Sequence, residues 1–279
     1  MVKYGLSLPN GGPNPKDIIQ FAALAETAGW DGLFLEDYII WQGHQEVPTY
    51  DPWVLLTGMA ILTKRIRLGT MVTPLTRRRP WKVASECATL DLISNGRMIL
   101  GVGLGDTMSG EDSFSVFGEV VDIQQRSKML DECLEIISGI WGLEPFQFDG
   151  KYYHIKEINL YPKPVQKPSI PIWVGGAYPF EGPMRRAARW DGSCLYKHKV
   201  HFLQPEDLRD IKAFIESNRN SDEPYDYSLG GCKRWKDEEK QILYMRSLAE
   251  EGMTWWLEYI PPNSASIMRS AIARGPLRI

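Results

Sequence analysis

Asp37, Tyr38 and His44 place an acid, a phenol and an imidazole close together, in a run that opens Glu36-Asp37-Tyr38. Each becomes a general acid or base at neutral pH if burial brings its pKa there; in an open loop each is simply solvated. A second set of residues can hold a ligand. Gly101, Gly103 and Gly105 alternate through the end of the apolar run Met98 to Leu104 and are followed by Asp106. In an extended strand they leave one face without side chains, a floor for a flat ring. The apolar run Ile66 to Pro74 contains Gly69, Thr70, Met71 and Val72, and glycine weakens a strand unless something must approach the backbone. Glycines at period two also serve strands that bend or pack against a neighbouring backbone, so both readings stay open. The G-x-G of GVGLGD lacks the third glycine and the immediate helix of a dinucleotide fingerprint.

Anion binding has its own candidates. Gly175, Gly176 and Ala177 precede a helix expected near Gly182 or Pro183, where free N–H groups and a helix amino end suit a phosphate. Arg126, one turn into a predicted helix, can extend a guanidinium toward the same ligand, the alternative being an ordinary ion pair on the helix surface. Arg185 and Arg186 sit in R-R-A-A-R, a spacing that usually faces solvent. Cys87, Cys133, Cys194 and Cys232 are far apart with no CxxC, and the one close histidine pair is His198 and His201; no metal centre is expected from them. Of Trp41, Trp53, Trp81, Trp235, Trp255 and Trp256, those in loops can wall a pocket for an apolar or aromatic substrate, and the rest are expected between helices and sheet.

These residues need a scaffold, and the hydrophobic periodicity supplies one. Period-two and period-3.6 runs alternate eight times, the count that closes a barrel. The expected strands are Lys3 to Leu8, Gly32 to Glu36, Ile66 to Thr73, Met98 to Leu104, Ile170 to Gly175, Gly192 to Tyr196, Tyr225 to Gly230 and Thr254 to Ile260. Asn14-Pro15 and Asp51-Pro52 open the first two helices, and Gly29 closes the first. A fourth helix, Asp122 to Trp141, carries Ile123, Leu130, Leu134, Ile137 and Trp141 as a core-facing stripe. FQFDGKYYHI reads as an inserted hairpin turning at Asp149-Gly150. The expected fold is α/β: a single (β/α)8 TIM barrel over residues 1–279, with a short hairpin between the fourth helix and fifth strand. In such a barrel the reactive groups gather at the carboxyl ends of the strands.

A net charge of -3 and a pI near 5.9 exclude the basic field that nucleic acid requires. No stretch of about 18 apolar residues is present to span a bilayer, and a soluble cytoplasmic protein is expected.

Several segments together carry a resemblance: AETAGWDGLFLED at 25 to 37, RIRLGTMVTP, LDLISNGRMILGVGLG at 90 to 105, PIWVGGA at 171 to 177, RRAARWDG at 185 to 192 and EGMTWWLE at 251 to 258. The chain resembles the bacterial-luciferase-like superfamily of flavin- and deazaflavin-dependent oxidoreductases. The resemblance implies a non-prolyl cis peptide at Met71–Val72 and a cofactor ring over Thr70, Met71, Val72, Gly103, Gly105 and Asp106. It also implies a phosphate at Gly175, Gly176, Ala177 and Arg126. Tyr38 departs from the pattern, because many relatives carry histidine there; His44 can substitute if its loop folds inward. The implied activity is that of a monooxygenase using reduced FMN, supplied by a separate flavin reductase, and oxygen on a small apolar substrate. The alternative is hydride transfer with the deazaflavin coenzyme F420, and a second is a non-catalytic flavin-binding protein. An aldolase or isomerase would rest on Lys197 and Asp37 alone. A homodimer is implied as well.

Overall fold

Proline after an Asn or Asp sets the first two helices. Asn14 accepts a hydrogen bond from the Lys16 N–H, and Asp51 accepts from Trp53 and Val54, while Pro15 and Pro52 occupy positions whose N–H would be orphaned in any case. In a computed structural model, residues 1–105 and 114–279 are described, and the alternation continues through the chain. Its order is β1 (Lys3–Leu8), α1 (Pro15–Thr27), β2 (Gly32–Leu35), α2 (Pro52–Leu62), β3 (Arg67–Pro74), α3 (Pro80–Ser94), β4 (Met98–Gly103), α4 (Ile123–Trp141) and the hairpin β5 (Phe146–Asp149) and β6 (His154–Ile158). There follow β7 (Ile172–Tyr178), α5 (Glu181–Ala187), β8 (Gly192–Lys197), α6 (Pro205–Asn218), β9 (Asp226–Cys232), α7 (Glu238–Glu250), β10 (Trp255–Tyr259) and α8 (Ala265–Ala273). Eight parallel strands close a barrel in the order β1-β10-β9-β8-β7-β4-β3-β2, and β5-β6 stands apart.

Strand alternation divides the side chains between two cores. Leu6, Leu8, Leu33 and Leu35 point outward into the layer beneath the helices. Phe34, Ile99, Trp173, Trp255 and Leu257 point inward and fill the barrel. The Trp173 and Trp255 rings meet edge to face at 5.3 Å, and Phe34 packs on both. These rings fit because glycine stands opposite them: a Cβ on Gly192 would lie 2.4 Å from Trp173, and one on Gly32 would lie 2.8 Å from Phe34 and Trp255. Trp255 therefore plugs the barrel and does not wall a pocket.

Two expectations need correction. Ile123 is 64% exposed, because it is the first residue of α4 and that turn has not yet reached the barrel, whereas Leu130, Leu134, Ile137 and Trp141 are buried as the stripe requires. The hairpin turns through Gly150 to Tyr153, since Asp149 still pairs with His154. Glu132 on α4 accepts hydrogen bonds from the N–H groups of Lys151, Tyr152 and Tyr153 at 2.8, 2.9 and 3.1 Å, and this draws the longer loop onto the helix.

Candidate functional site

The carboxyl ends of the strands form the barrel mouth, and β3 breaks its ladder there. The Met71–Val72 peptide is cis, and the β3–β4 register slips between Thr70 and Thr73. Thr70 stays in the wall, its hydroxyl donating to the Gly101 carbonyl at 2.9 Å. Val72 swings over the mouth: a Cβ on Gly103 would lie 2.7 Å from Val72 Cγ2, and one on Gly175 3.2 Å from Val72 Cγ1. The alternating glycines thus have a packing reason, and the floor they form is not bare. It is surfaced by the methyls of Val72, with Met71 beside them and both side chains partly exposed. Gly101 is fixed by the β3 backbone itself, since a Cβ there would sit 2.1 Å from the Thr70 carbonyl oxygen. The structure therefore brings Thr70, Met71, Val72, Gly103 and Gly175 together. Asp106 lies outside the described residues.

β7 supplies an open edge. Its ladder to β4 ends at Val102–Val174, while its ladder to β8 continues to Tyr178–Lys197. Gly175, Gly176 and Ala177 are therefore flanked by a strand on one side only. The helix that follows starts at Glu181 and has seven residues, so a carboxylate stands where a phosphate would meet the helix. Arg185 pairs with that Glu181, and Arg186 is buried against Asp131 at 2.7 Å. Arg126, 1% exposed, donates to the Gly105 carbonyl at 2.9 Å and lies 4.0 Å over the Phe114 ring. Gly105 takes φ +76 to make this contact. Arg126 is thus a buried side chain that ties α4 to Gly105 and Phe114.

On β2, neighbouring residues have opposite fates. Asp37 continues the outward set of Leu33 and Leu35. Its side chain, 1% exposed, accepts from the Thr73 hydroxyl at 3.0 Å and from both arms of Arg78 at 3.0 and 2.9 Å. Arg77 also reaches it, bonding the Asp37 carbonyl and, at 3.2 Å, its carboxylate. This is an electrostatic clamp between the ends of β2 and β3. His44 is exposed, bonded to Glu46 at 2.8 Å and stacked on Trp41; its loop does not fold inward. Tyr38 is held through its backbone, which exchanges hydrogen bonds with the Asn10 amide at 2.8 and 3.2 Å.

Glu36 follows Phe34 on the inward face, and this is the residue that the choice of Asp37 overlooked. Trp41-Gln42-Gly43-His44 makes a tight turn, with φ 48 at Gln42 and 82 at Gly43, which swings the Trp41 indole back so that it donates to Glu36 at 3.1 Å. Burial pushes the Glu36 carboxyl up to about 7, opposed by the indole hydrogen bond. Tyr259, inward on β10, brings a buried hydroxyl beside Glu36 and the Trp41 indole, with no well-aligned hydrogen bond among the described residues. Its phenol is raised by burial and by the charge of Glu36. Cys194 lies beside Gly175, where a Cβ would stand 3.4 Å from its sulfur, and burial raises its thiol to about 12, so it stays neutral. Lys197 is held by Asp207 at 2.8 Å, and His198 and His201 turn to the rings of Phe180 and Tyr196.

A closed parallel α/β barrel with an apolar floor at its mouth, and beside it a carboxyl that burial raises, is a TIM barrel with its polar groups at the carboxyl ends of the strands. The chain belongs to the luciferase-like monooxygenase family, whose profile matches residues 2–242. It is 32% identical over 180 residues to an F420-dependent glucose-6-phosphate dehydrogenase of Amycolatopsis mediterranei, covering 63% of this chain and 53% of that one. It is 33% identical over 214 residues to the enzyme of that name from Beutenbergia cavernae, covering 75% and 60%. The chain thus matches little more than half the length of these relatives. An F420-dependent secondary alcohol dehydrogenase, solved with an F420-acetone adduct, superposes with a TM-score of 0.79 at 18% identity, covering 98% of this chain and 96% of that one. The coenzyme F420-dependent tetrahydromethanopterin reductase of Methanopyrus kandleri gives 0.77 at 18% identity, covering 98% and 96%. These structures share the fold.

Proposed function

We propose that this protein is a deazaflavin-dependent oxidoreductase that moves a hydride between coenzyme F420 and a small uncharged alcohol or its carbonyl partner. The observation that carries this reading is the identity to F420-dependent dehydrogenases over as much as 75% of the chain. It displaces the expectation of reduced FMN and oxygen, which leaned on the monooxygenases of the superfamily. The flavin reductase belonged to that expectation; in hydride transfer the alcohol is itself the reductant.

The mouth fits a flat, apolar-faced ring. Val72 offers methyls over Gly103 and Gly175, and the buried Tyr259 hydroxyl supplies a polar atom at the inner wall. Val72 and Met71 would back the ring, and the open edge of β7 at Gly176 and Ala177 would take its tail. Bound there, the deazaflavin supplies the two-electron hydride acceptor or donor. The protein's own part is to hold the substrate against that ring and keep water out. Trp41, Val72 and Met71 provide apolar walls for an uncharged molecule. Around the rim Arg77, Arg78 and Arg186 are committed to carboxylates, and the buried Arg126 donates to the Gly105 carbonyl.

Equilibrium titration of the purified protein with F420 and with FMN in both redox states tests the assignment. Selective binding of F420, followed by its reduction on addition of a secondary alcohol, is expected. Tight binding of reduced FMN alone would return the reading to oxygenation, and binding of neither would end it. A homodimer belongs to the same proposal, with α2 and α3 as its face. Val54 and Ile61 are each 70% exposed there, and Leu92 is 41% exposed. Sedimentation of Ile61→Glu should then show half the mass of wild type.

A further inference from the structure

We propose that Glu36 is the group at the barrel mouth that exchanges a proton with the substrate hydroxyl, with Trp41 as its positioning residue. The proposal rests on the hydride-transfer reading above and adds the residue that completes its chemistry. When an alcohol is oxidised, the carbon–hydrogen bond breaks with its electron pair and the hydride goes to the oxidised deazaflavin. The oxygen–hydrogen bond also breaks, and its proton goes to the Glu36 carboxylate, leaving a carbonyl and a neutral carboxyl. In reduction the neutral carboxyl returns the proton as hydride reaches the carbonyl carbon.

Geometry selects Glu36 over its neighbours. Strand alternation places it inward above Phe34, on the wall that β2 shares with β1 and β3. It is half-buried, and its carboxyl is bonded by the Trp41 indole at 3.1 Å. Asp37 faces the other way and has both oxygens occupied by guanidinium groups. His44 lies behind the Trp41 ring with Glu46 as its partner.

The surroundings let the carboxyl work in both directions. Among the described residues the titratable neighbour of Glu36 is the phenol of Tyr259 on β10, which also feels Tyr38, and no cation or second carboxylate among them moves the Glu36 carboxyl. Burial alone therefore disfavours the charge, and the indole N–H from Trp41 opposes that effect. The balance falls near neutrality, where a group accepts and donates protons with equal ease.

The test combines two measurements. On protein without cofactor, carbon-13 carboxyl NMR of labelled glutamate is followed against pH, with Glu36→Gln assigning the resonance. One glutamate titrating near pH 7 and absent from the variant is expected; Glu36 titrating in the ordinary carboxylate range would overturn the proposal. On protein with F420 and a secondary alcohol, Glu36→Gln should keep the wild-type coenzyme Kd. It should lose about 10²- to 10⁴-fold in hydride transfer, and the acid limb of the pH profile should disappear. Glu36→Asp should recover part of the rate. Hydride transfer in Glu36→Gln at the wild-type rate with an unchanged limb would refute the assignment. A wild-type protein that fails to bind F420 refutes the proposed function instead, and the two failures are distinguishable because the carboxyl titration is read without coenzyme.

Discussion

Replacing Asp37 with asparagine separates a structural clamp from a catalytic base, and the two roles predict different magnitudes in different assays. Asparagine keeps the shape and can still accept from Thr73, but it removes the carboxylate shared by Arg77 and Arg78, at 3% and 20% side-chain exposure. Removing one partner of a buried pair costs about 3 to 5 kcal/mol. Arg78 keeps some solvent and a second contact with Asp51 at 3.4 Å, which places the cost near the lower end, about 3 kcal/mol. For 279 residues, an unfolding entropy of about 2.1 cal/mol/K per residue gives about 0.6 kcal/mol/K, so Tm should fall by about 5 °C. Urea unfolding followed by circular dichroism should show the midpoint falling with an unchanged slope. Adding Arg78→Met to Asp37→Asn should cost less than the sum of the single changes, because the second removes a charge that the first had orphaned. The folded variant should retain hydride transfer within about tenfold, whereas loss of a general base costs about 10²- to 10⁴-fold. Wild-type stability in Asp37→Asn, or strict additivity with Arg78→Met, would refute the clamp.

Three further perturbations probe the mouth. Trp41→Phe removes the hydrogen bond that favours the Glu36 carboxylate, so its titration should move above about 7 in the same NMR experiment; a downward shift would contradict the geometry. Burial raises the Glu36 carboxyl from its ordinary 4.5 to about 7, which corresponds to about 3 kcal/mol before partial solvent exposure reduces it. Because the folded pKa is raised, this stability is fully present below pH 4.5 and is lost as pH rises through about 7. Unfolding free energies at pH 5 and pH 8 should therefore differ more in wild type than in Glu36→Gln. Gly103→Ala presses on the movable methyl of Val72 at 2.7 Å, whereas Gly101→Ala presses on the fixed carbonyl of Thr70 at 2.1 Å. The first should fold and bind F420 at least tenfold more weakly by equilibrium titration, while the second should lose several kcal/mol of stability by urea unfolding.

The barrel was legible because parallel strands covered on both faces read as continuous apolar runs, and Asn14-Pro15 and Asp51-Pro52 fixed where the first two helices begin. The cis peptide at Met71–Val72 came from the resemblance, since propensity offers no reason for it. The floor was half legible. The alternating glycines marked the right strand, but which atom filled the space depended on Val72 arriving from β3, a neighbour that no local pattern names. Arg126 was placed on the right helix, but its contact with the Gly105 carbonyl was not legible, because that contact depends on a left-handed turn after β4. Trp255 was unreadable for a similar reason: only the opposing glycine at 32 shows that its indole fits inside the barrel.

Glu36 and Asp37 make the same point at the scale of one residue. Both are acids at the end of one strand, and composition cannot rank them. The alternation beginning at Leu33 does: it sends Asp37 outward, where two guanidinium groups hold it as a charge, and Glu36 inward, where burial without a counter-ion lifts it to about 7. The two depend on each other mechanically. The outward clamp fixes the end of β2 against Arg77 and Arg78, and that fixed end is the base from which the loop to Trp41 turns back over Glu36. A charge held outside the barrel therefore anchors the loop that carries the Trp41 indole to Glu36.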